Sequence, residues 1–281
     1  MANKKLGFAL GGGGARGVAH IGFLQAMEEA GIKPDYIAGC SMGSVVGAAY
    51  ASGKLSLTEI KEIILNLKPT DLLLPAVKKS GVFTAKKIAA LMRKHLGEIN
   101  FEDMKIPFRC ISVDVGAQKL VCFARGSIAE AVAASSCIPG AFAPYDIGGT
   151  LYADGGVLER VPVVQAKEMG SDVVVAVDVM ANLRFLSQDE EEDERGIVKK
   201  LLDNLNIFNE NTLTFIEQAF AVIDNDRTAK RRIECKDIID LWLEPELEDM
   251  SPFSFKQLGF AYEKGYEIGK QNAETVLSLI K

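Results

Sequence analysis

Tyr36-Ile37-Ala38-Gly39-Cys40-Ser41-Met42-Gly43-Ser44-Val45-Val46-Gly47 reads as a short apolar run, a Gly-x-Ser-x-Gly turn and the start of a small-residue helix. A serine on a strained turn between strand and helix presents its hydroxyl at the top of a sheet. Gly39 and Gly43 leave room for that turn and for close chain contacts. The helix N-terminus adds positive potential beside the Ser41 Oγ. A blander reading makes Ser41 a plain helix N-cap. Cys40 is one residue off the apex, so its side chain points elsewhere and suits a small buried residue.

The flanking sequence repeats the alternation. Leu6–Leu10 is an apolar run bounded by Lys5 and glycines, which predicts a buried strand. Val18, Ile21, Leu24 and Met27 then fall at helical spacing, and Gly31 follows as a C-cap. Helical patterns continue at Leu57–Leu67 and at Ala85–Leu96, with Thr84 as N-cap. Phe108–Val113 and Leu120–Phe123 read as a hairpin across Gly116. Ser127–Ser135 is helical, and Pro139–Pro144 marks a long loop. Leu151–Asp154 is a strand, Pro162–Met169 a helix, and Val173–Val179 a β-branched run of the central-parallel type. Asp189–Glu194 reads as a solvated acidic loop and Ile197–Ile223 as a long helix. Ile238–Leu243 reads as a strand and Phe255–Ile280 as a closing helix. There is no internal repeat. The expectation is one α/β domain over residues 1–281 with a mainly parallel sheet. Residues 54–105 read as a helical cap or insertion, and 197–281 as a helical C-terminal extension.

Composition narrows the chemistry. The chain has 281 residues, a formal net charge of −6, five cysteines and two histidines. That charge does not favour nucleic acid. Five cysteines, none in Cys-x-x-Cys spacing, suit reduced thiols. Two histidines rule out a His-rich zinc site, and the acidic run has no ligand spacing, so no metal and no cofactor is expected. The N-terminus shows no signal-peptide pattern, and no run reaches the ~18 apolar residues of a membrane span. The expected location is the cytoplasm, with room for peripheral contact at the inner membrane face.

Gly11-Gly12-Gly13-Gly14-Ala15-Arg16-Gly17 lies after the first strand and admits three readings. Glycines let backbone N–H groups face an anion at a helix N-terminus. That anion is either the oxyanion of a tetrahedral intermediate or a dinucleotide pyrophosphate, and the third reading is a plain turn. The dinucleotide reading needs an acid at the end of the second strand. Asp35 stands at its start. A Walker loop needs Lys after the last glycine, where this chain has Val18.

A serine hydroxyl needs a neighbouring base. His20 lies on the first helix and His95 on a charged helix end, and no histidine follows the acids that a triad order would require. Asp154 ends a strand, at the edge where parallel sheets bind ligands, and Gly155-Gly156 permit a sharp turn there. Asp178 and Asp114 are rival acids. A carboxylate is a weak base unless desolvated, which suits ester over amide cleavage.

At this point the motifs resemble a known family. Gly12–Gly17, Ala19-His20-Ile21-Gly22, Gly39–Gly43, Ser135–Gly140, Asp154-Gly155-Gly156 and Val161-Pro162 are similar to those of the patatin-like phospholipases, in particular bacterial members and the esterase domain of neuropathy target esterase. The resemblance implies a three-layer α/β/α fold with a mainly parallel central sheet and a Ser-Asp dyad: Ser41 as nucleophile, Asp154 as base, and Gly12, Gly13, Gly14, Ala15 and Arg16 as the oxyanion hole. It implies a fatty acyl ester or phospholipid substrate cleaved through an acyl-enzyme. A non-catalytic acyl-lipid-binding regulator and a nucleotide-binding oxidoreductase are the alternatives. Residues 54–105 hold ten Lys or Arg against six Asp or Glu. Leu72–Val77 beside Lys78-Lys79 sets apolar against basic residues, which suits a core-packing loop flanked by solvated lysines or, as the second reading, contact with anionic lipid. Nothing in the sequence sets the oligomeric state.

Overall fold

A computed structural model describes residues 4–72, 74, 83–181, 226–247 and 250–281. Its strands are β1 (Leu6–Leu10), β2 (Tyr36–Cys40), β3 (Phe108–Asp114), β4 (Lys119–Phe123), β5 (Tyr145–Ile147), β6 (Thr150–Asp154), β7 (Val173–Val177) and β8 (Leu241–Leu243). Its helices are α1 (Ala19–Glu29), α2 (Met42–Ser52), α3 (Leu57–Leu65), α4 (Pro69–Leu72), α5 (Lys86–Leu96), α6 (Ile128–Ser135), α7 (Val163–Glu168), α8 (226–234) and α9 (Leu258–Ile280).

The layering follows from side-chain alternation along the central strands. Leu6, Phe8 and Leu10 of β1 and Val173, Val175 and Val177 of β7 enter a large core shared with α1, α2, α3, α5, α6 and α9. Ala9, Ala38, Val174 and Ala176 face the other way and meet Val163 and Ala166 of α7. Helices therefore cover both faces of the sheet. The small residues on the second face let α7 lie close.

The sheet order is β5-β6-β3-β2-β1-β7-β8, with β4 also paired to β3. β1, β2, β3, β7 and β8 pair in parallel. β4, β5 and β6 join in antiparallel pairs. One consequence of the register decides the site. β4 covers one edge of β3 from Cys110 to Asp114. β2 pairs with β3 up to Cys40↔Ile111, and β6 pairs with it from Ser112↔Asp154 onward. A strand has two edges, so β2 and β6 share the edge that β4 leaves. They run in opposite directions and meet end to end, at adjacent rungs of β3.

α9 lies along α1 at very short range. A Cβ at Gly265 would fall 1.8 Å from the Ala19 carbonyl oxygen, and one at Gly22 would fall 2.0 Å from that of Tyr262.

Some local expectations shift. The segment after the glycine loop is a 3-10 turn over Gly14–Val18 before α1 begins at Ala19. The N-cap of α5 is Ala85, without a side-chain cap, rather than Thr84. The Pro139–Pro144 loop leads into β5, which pairs with β6 as a short hairpin through Gly148-Gly149. The acidic run 189–194, the 197–223 helix and most of the 72–83 segment lie outside the described residues. Among the described residues, no helix is long and apolar enough to cross a membrane.

Candidate active site

Ser41 sits where β2 passes into α2, with φ 50° and ψ −123°. A left-handed φ in a non-glycine residue costs on the order of 1–3 kcal/mol and persists only where the surroundings impose it. Here the surroundings are explicit. The Ser41 amide donates to the Ser135 hydroxyl of α6 at 2.9 Å, and its carbonyl accepts the Ser44 hydroxyl at 2.6 Å. The α2 terminus is pressed against the end of β1: a Cβ at Gly43 would lie 2.2 Å from the Leu10 carbonyl oxygen. Gly43 is thus a requirement of packing as well as of the turn.

Asp154 reaches the same point from the opposite direction, at the end of β6. The Cys40 thiol lies 3.6 Å from its Oδ1, which also accepts the Gly156 amide at 2.8 Å. Its own amide donates to the Cys137 carbonyl at 2.9 Å. Ser41 and Asp154 are each only 5% exposed. Gly155 lies against the Ile111 carbonyl, which a Cβ would approach to 2.7 Å. Burial, and then the Asp154 charge, push the Cys137 thiol up to about 12, which keeps it neutral at physiological pH.

The glycine loop forms the third wall. A Cβ at Gly12 would stand 3.2 Å from the Ser41 Cβ. The loop amides are unequally committed. Gly12 N–H donates to the Arg160 carbonyl, Ala15 N–H to the Pro252 carbonyl and Arg16 N–H to the Gly13 carbonyl. The N–H groups of Gly13 and Gly14 have no acceptor among the described residues. Gly14 takes φ +53° directly beneath the Pro252 carbonyl. The Arg16 side chain is fully buried and spans three carbonyls, Val179 at 2.6 Å, Met250 at 2.8 Å and Ala181 at 3.3 Å. Its guanidinium is a strut for the loop.

The rival groups are engaged elsewhere. His20 is buried and bonds the Gly11 carbonyl through Nε2 at 2.7 Å. Burial holds its pKa down to about 4, so the ring is neutral. Since it faces a carbonyl, Nε2 is the donor. His95 stays on the basic end of α5. Asp178 is paired with Arg160 at 2.8 Å. Asp114 accepts the Ala117 amide in the β3–β4 turn. Asp35, which precedes β2 rather than ending it, binds Lys5 and the Leu6 amide at the entry edge of the sheet. Among the described residues, no cluster of His, Cys, Asp and Glu could hold a metal ion.

Ser135, Met250 and Pro252 complete the site without having been legible as parts of it. Each contributes one polar group across a long sequence separation. Only Ser135 lay in a stretch that the motifs had singled out.

The family model for patatin-like phospholipases matches residues 8–167, a span that includes the glycine loop, Ser41 and Asp154. Uncharacterised NTE family proteins of Mycobacterium bovis and Mycobacterium tuberculosis are 37% identical over 179 residues, covering 63% of this chain and 50% of theirs. The lysophospholipase NTE1 of Coccidioides immitis is 29% identical over 286 residues, covering 96% of this chain and 18% of that protein. The chain thus spans half the length of the mycobacterial relatives and under a fifth of the fungal one. Among solved structures, VipD from Legionella pneumophila is similar at TM-score 0.57, covering 98% of this chain and 67% of VipD at 16% identity. At that identity the likeness is one of fold.

Proposed function

The chain belongs to the patatin-like phospholipase family, and on that premise we propose that it hydrolyses fatty acyl esters with Ser41 as nucleophile and Asp154 as base. The observation that carries this reading is the end-to-end meeting of β2 and β6 on one edge of β3, which sets the Ser41 turn beside the Asp154 carboxylate.

Asp154 takes the Ser41 proton as Oγ bonds to the ester carbonyl carbon. The carbonyl π bond opens and negative charge moves to the oxygen. The amides of Gly13 and Gly14 donate to that oxyanion, each worth on the order of 10²–10³ in rate. Gly12, Ala15 and Arg16 shape the loop and leave the donation to these two. As the tetrahedral intermediate collapses, the ester C–O bond breaks, and Asp154 returns its proton to the leaving alkoxide. Water then attacks the acyl-Ser41 ester and gives its proton to Asp154. The acid departs and Ser41 regains its hydrogen. No histidine takes part: His20 holds the Gly11 carbonyl and His95 stands on α5. The substrate class is a phospholipid or lysophospholipid, in line with the name of the fungal relative. Peripheral contact with a lipid surface belongs to the same proposal, with the protein acting from the cytoplasmic side.

Labelling with a fluorophosphonate probe, mapped by mass spectrometry, tests the nucleophile. Ser41 is expected to carry the label. Ser41→Ala and Asp154→Asn are each expected to abolish hydrolysis of a p-nitrophenyl acyl ester while keeping a cooperative unfolding transition. Full activity in a folded Asp154→Asn protein would overturn the dyad.

A further inference from the structure

We propose that Arg160 and Asp178 form a positioning clamp that fixes the turn carrying Asp154 against the oxyanion loop. The inference rests on the ester-hydrolase reading of Ser41 and Asp154.

Both side chains are buried, and Arg160 Nη2 donates to Asp178 Oδ2 at 2.8 Å. Neither has a part in the chemistry described above. Their value lies in what each backbone segment holds. The amides of Leu158 and Glu159 both donate to the Gly155 carbonyl, at 3.0 and 2.9 Å. The chain from Asp154 to Arg160 is therefore one tied turn. At its far end the Arg160 carbonyl receives the Gly12 amide at 3.1 Å. One short segment thus carries the base and fixes the first peptide of the oxyanion loop.

Asp178 governs the opposite wall. Its Oδ1 accepts the Met180 amide at 3.0 Å, and its own amide donates to the Leu243 carbonyl at 2.9 Å. The Val179 carbonyl receives Arg16 Nε. The side chains of Val179 and Met180 lie 2.5 and 3.2 Å from where a Cβ at Gly13 would stand. The glycine loop is gripped between the 154–160 turn and the 178–180 segment, and the Arg160–Asp178 pair joins the two grips. A buried pair is a weak source of net stability, because desolvation offsets its attraction, whereas breaking one partner is costly. What the pair supplies here is a fixed distance.

That distinction supplies the test. The double variant Arg160→Met with Asp178→Asn removes both charges, keeps similar volume and retains an oxygen for the Met180 amide. It is expected to unfold closer to the wild-type Tm than either single variant, because the two paired charges are removed together. Its kcat for a p-nitrophenyl acyl ester is expected to fall on the order of 10²-fold with KM unchanged, as a shift of about 1 Å in reacting groups does. Fluorophosphonate labelling of Ser41 is expected to slow in parallel. Wild-type kcat in the folded double variant would overturn the clamp while leaving the dyad standing. Should the double variant not fold, Asp178→Asn alone decides: a loss of kcat at unchanged KM supports the clamp, and undiminished kcat overturns it. A wild-type chain that neither labels at Ser41 nor hydrolyses the ester overturns the reading of the site and this inference with it.

Discussion

His20 is an imidazole shut inside the protein. Its Nε2 holds the Gly11 carbonyl, and its Nδ1 is buried without a hydrogen-bond partner among the described residues. Burial lowers its pKa from 6.5 to about 4. In the unfolded chain the ring takes up a proton near pH 6.5, so between 6.5 and 4 the unfolded state binds more protons. Stability is therefore full above pH 6.5 and falls as the pH drops toward 4, by roughly 3 kcal/mol from this residue alone. Urea unfolding of wild type and His20→Gln at several pH values between 4 and 7 measures it. The expected outcome is a shallower pH dependence in the variant. The residue's neighbours in sequence do not disclose this role, because His20 acts on a carbonyl nine positions back across the loop.

The contact between α1 and α9 is made by glycines, and it carries a prediction of its own. A Cβ at Gly265 has nowhere to go except into the Ala19 carbonyl, so Gly265→Ala must push the helices apart. It is expected to cost about 1–3 kcal/mol, the usual range for overpacking. Gly259, in the first turn of the same helix, has nothing within 4 Å of its would-be Cβ. Gly259→Ala is expected to leave stability unchanged or raise it by up to about 1 kcal/mol. Denaturant midpoints of the two variants compare strain with propensity on one helix. At this scale the sequence was readable where an element is decided locally. The apolar runs of β1 and β7, the GCSMG turn into α2 and the Asp-Gly-Gly turn after β6 all declare themselves within a few residues. β5 did not, because Tyr145-Asp146-Ile147 is three residues long and is a strand only through its pairing with β6. The direction of the Arg16 side chain was equally hidden. Its three carbonyl partners come from residues 179, 181 and 250, and no local pattern connects them to position 16.

The whole molecule is larger than the segment that the family model covers. Residues 8–167 contain the proposed nucleophile, base and loop, yet the loop is held by Val179, Met250 and Pro252, and α1 is covered by α9. A chain ending at residue 244 is expected to lose cooperative thermal unfolding and Ser41 labelling together, as scanning calorimetry and mass spectrometry would read. The end-to-end meeting of β2 and β6 also bears on how the chain acquires its activity in time. Cys40 and Asp154 are 114 positions apart in sequence. At a synthesis rate of about 5–20 residues per second, the elbow is made roughly 6–23 s before the Asp154 carboxylate. Once β3 has emerged, and until β6 follows, β3 offers a free half-edge beyond Ile111, and the nascent protein holds Ser41 without its proposed base. The proposed dyad can assemble only when β6 docks on that half-edge, so a ribosome-bound chain is expected to hydrolyse no ester until its sheet is nearly whole.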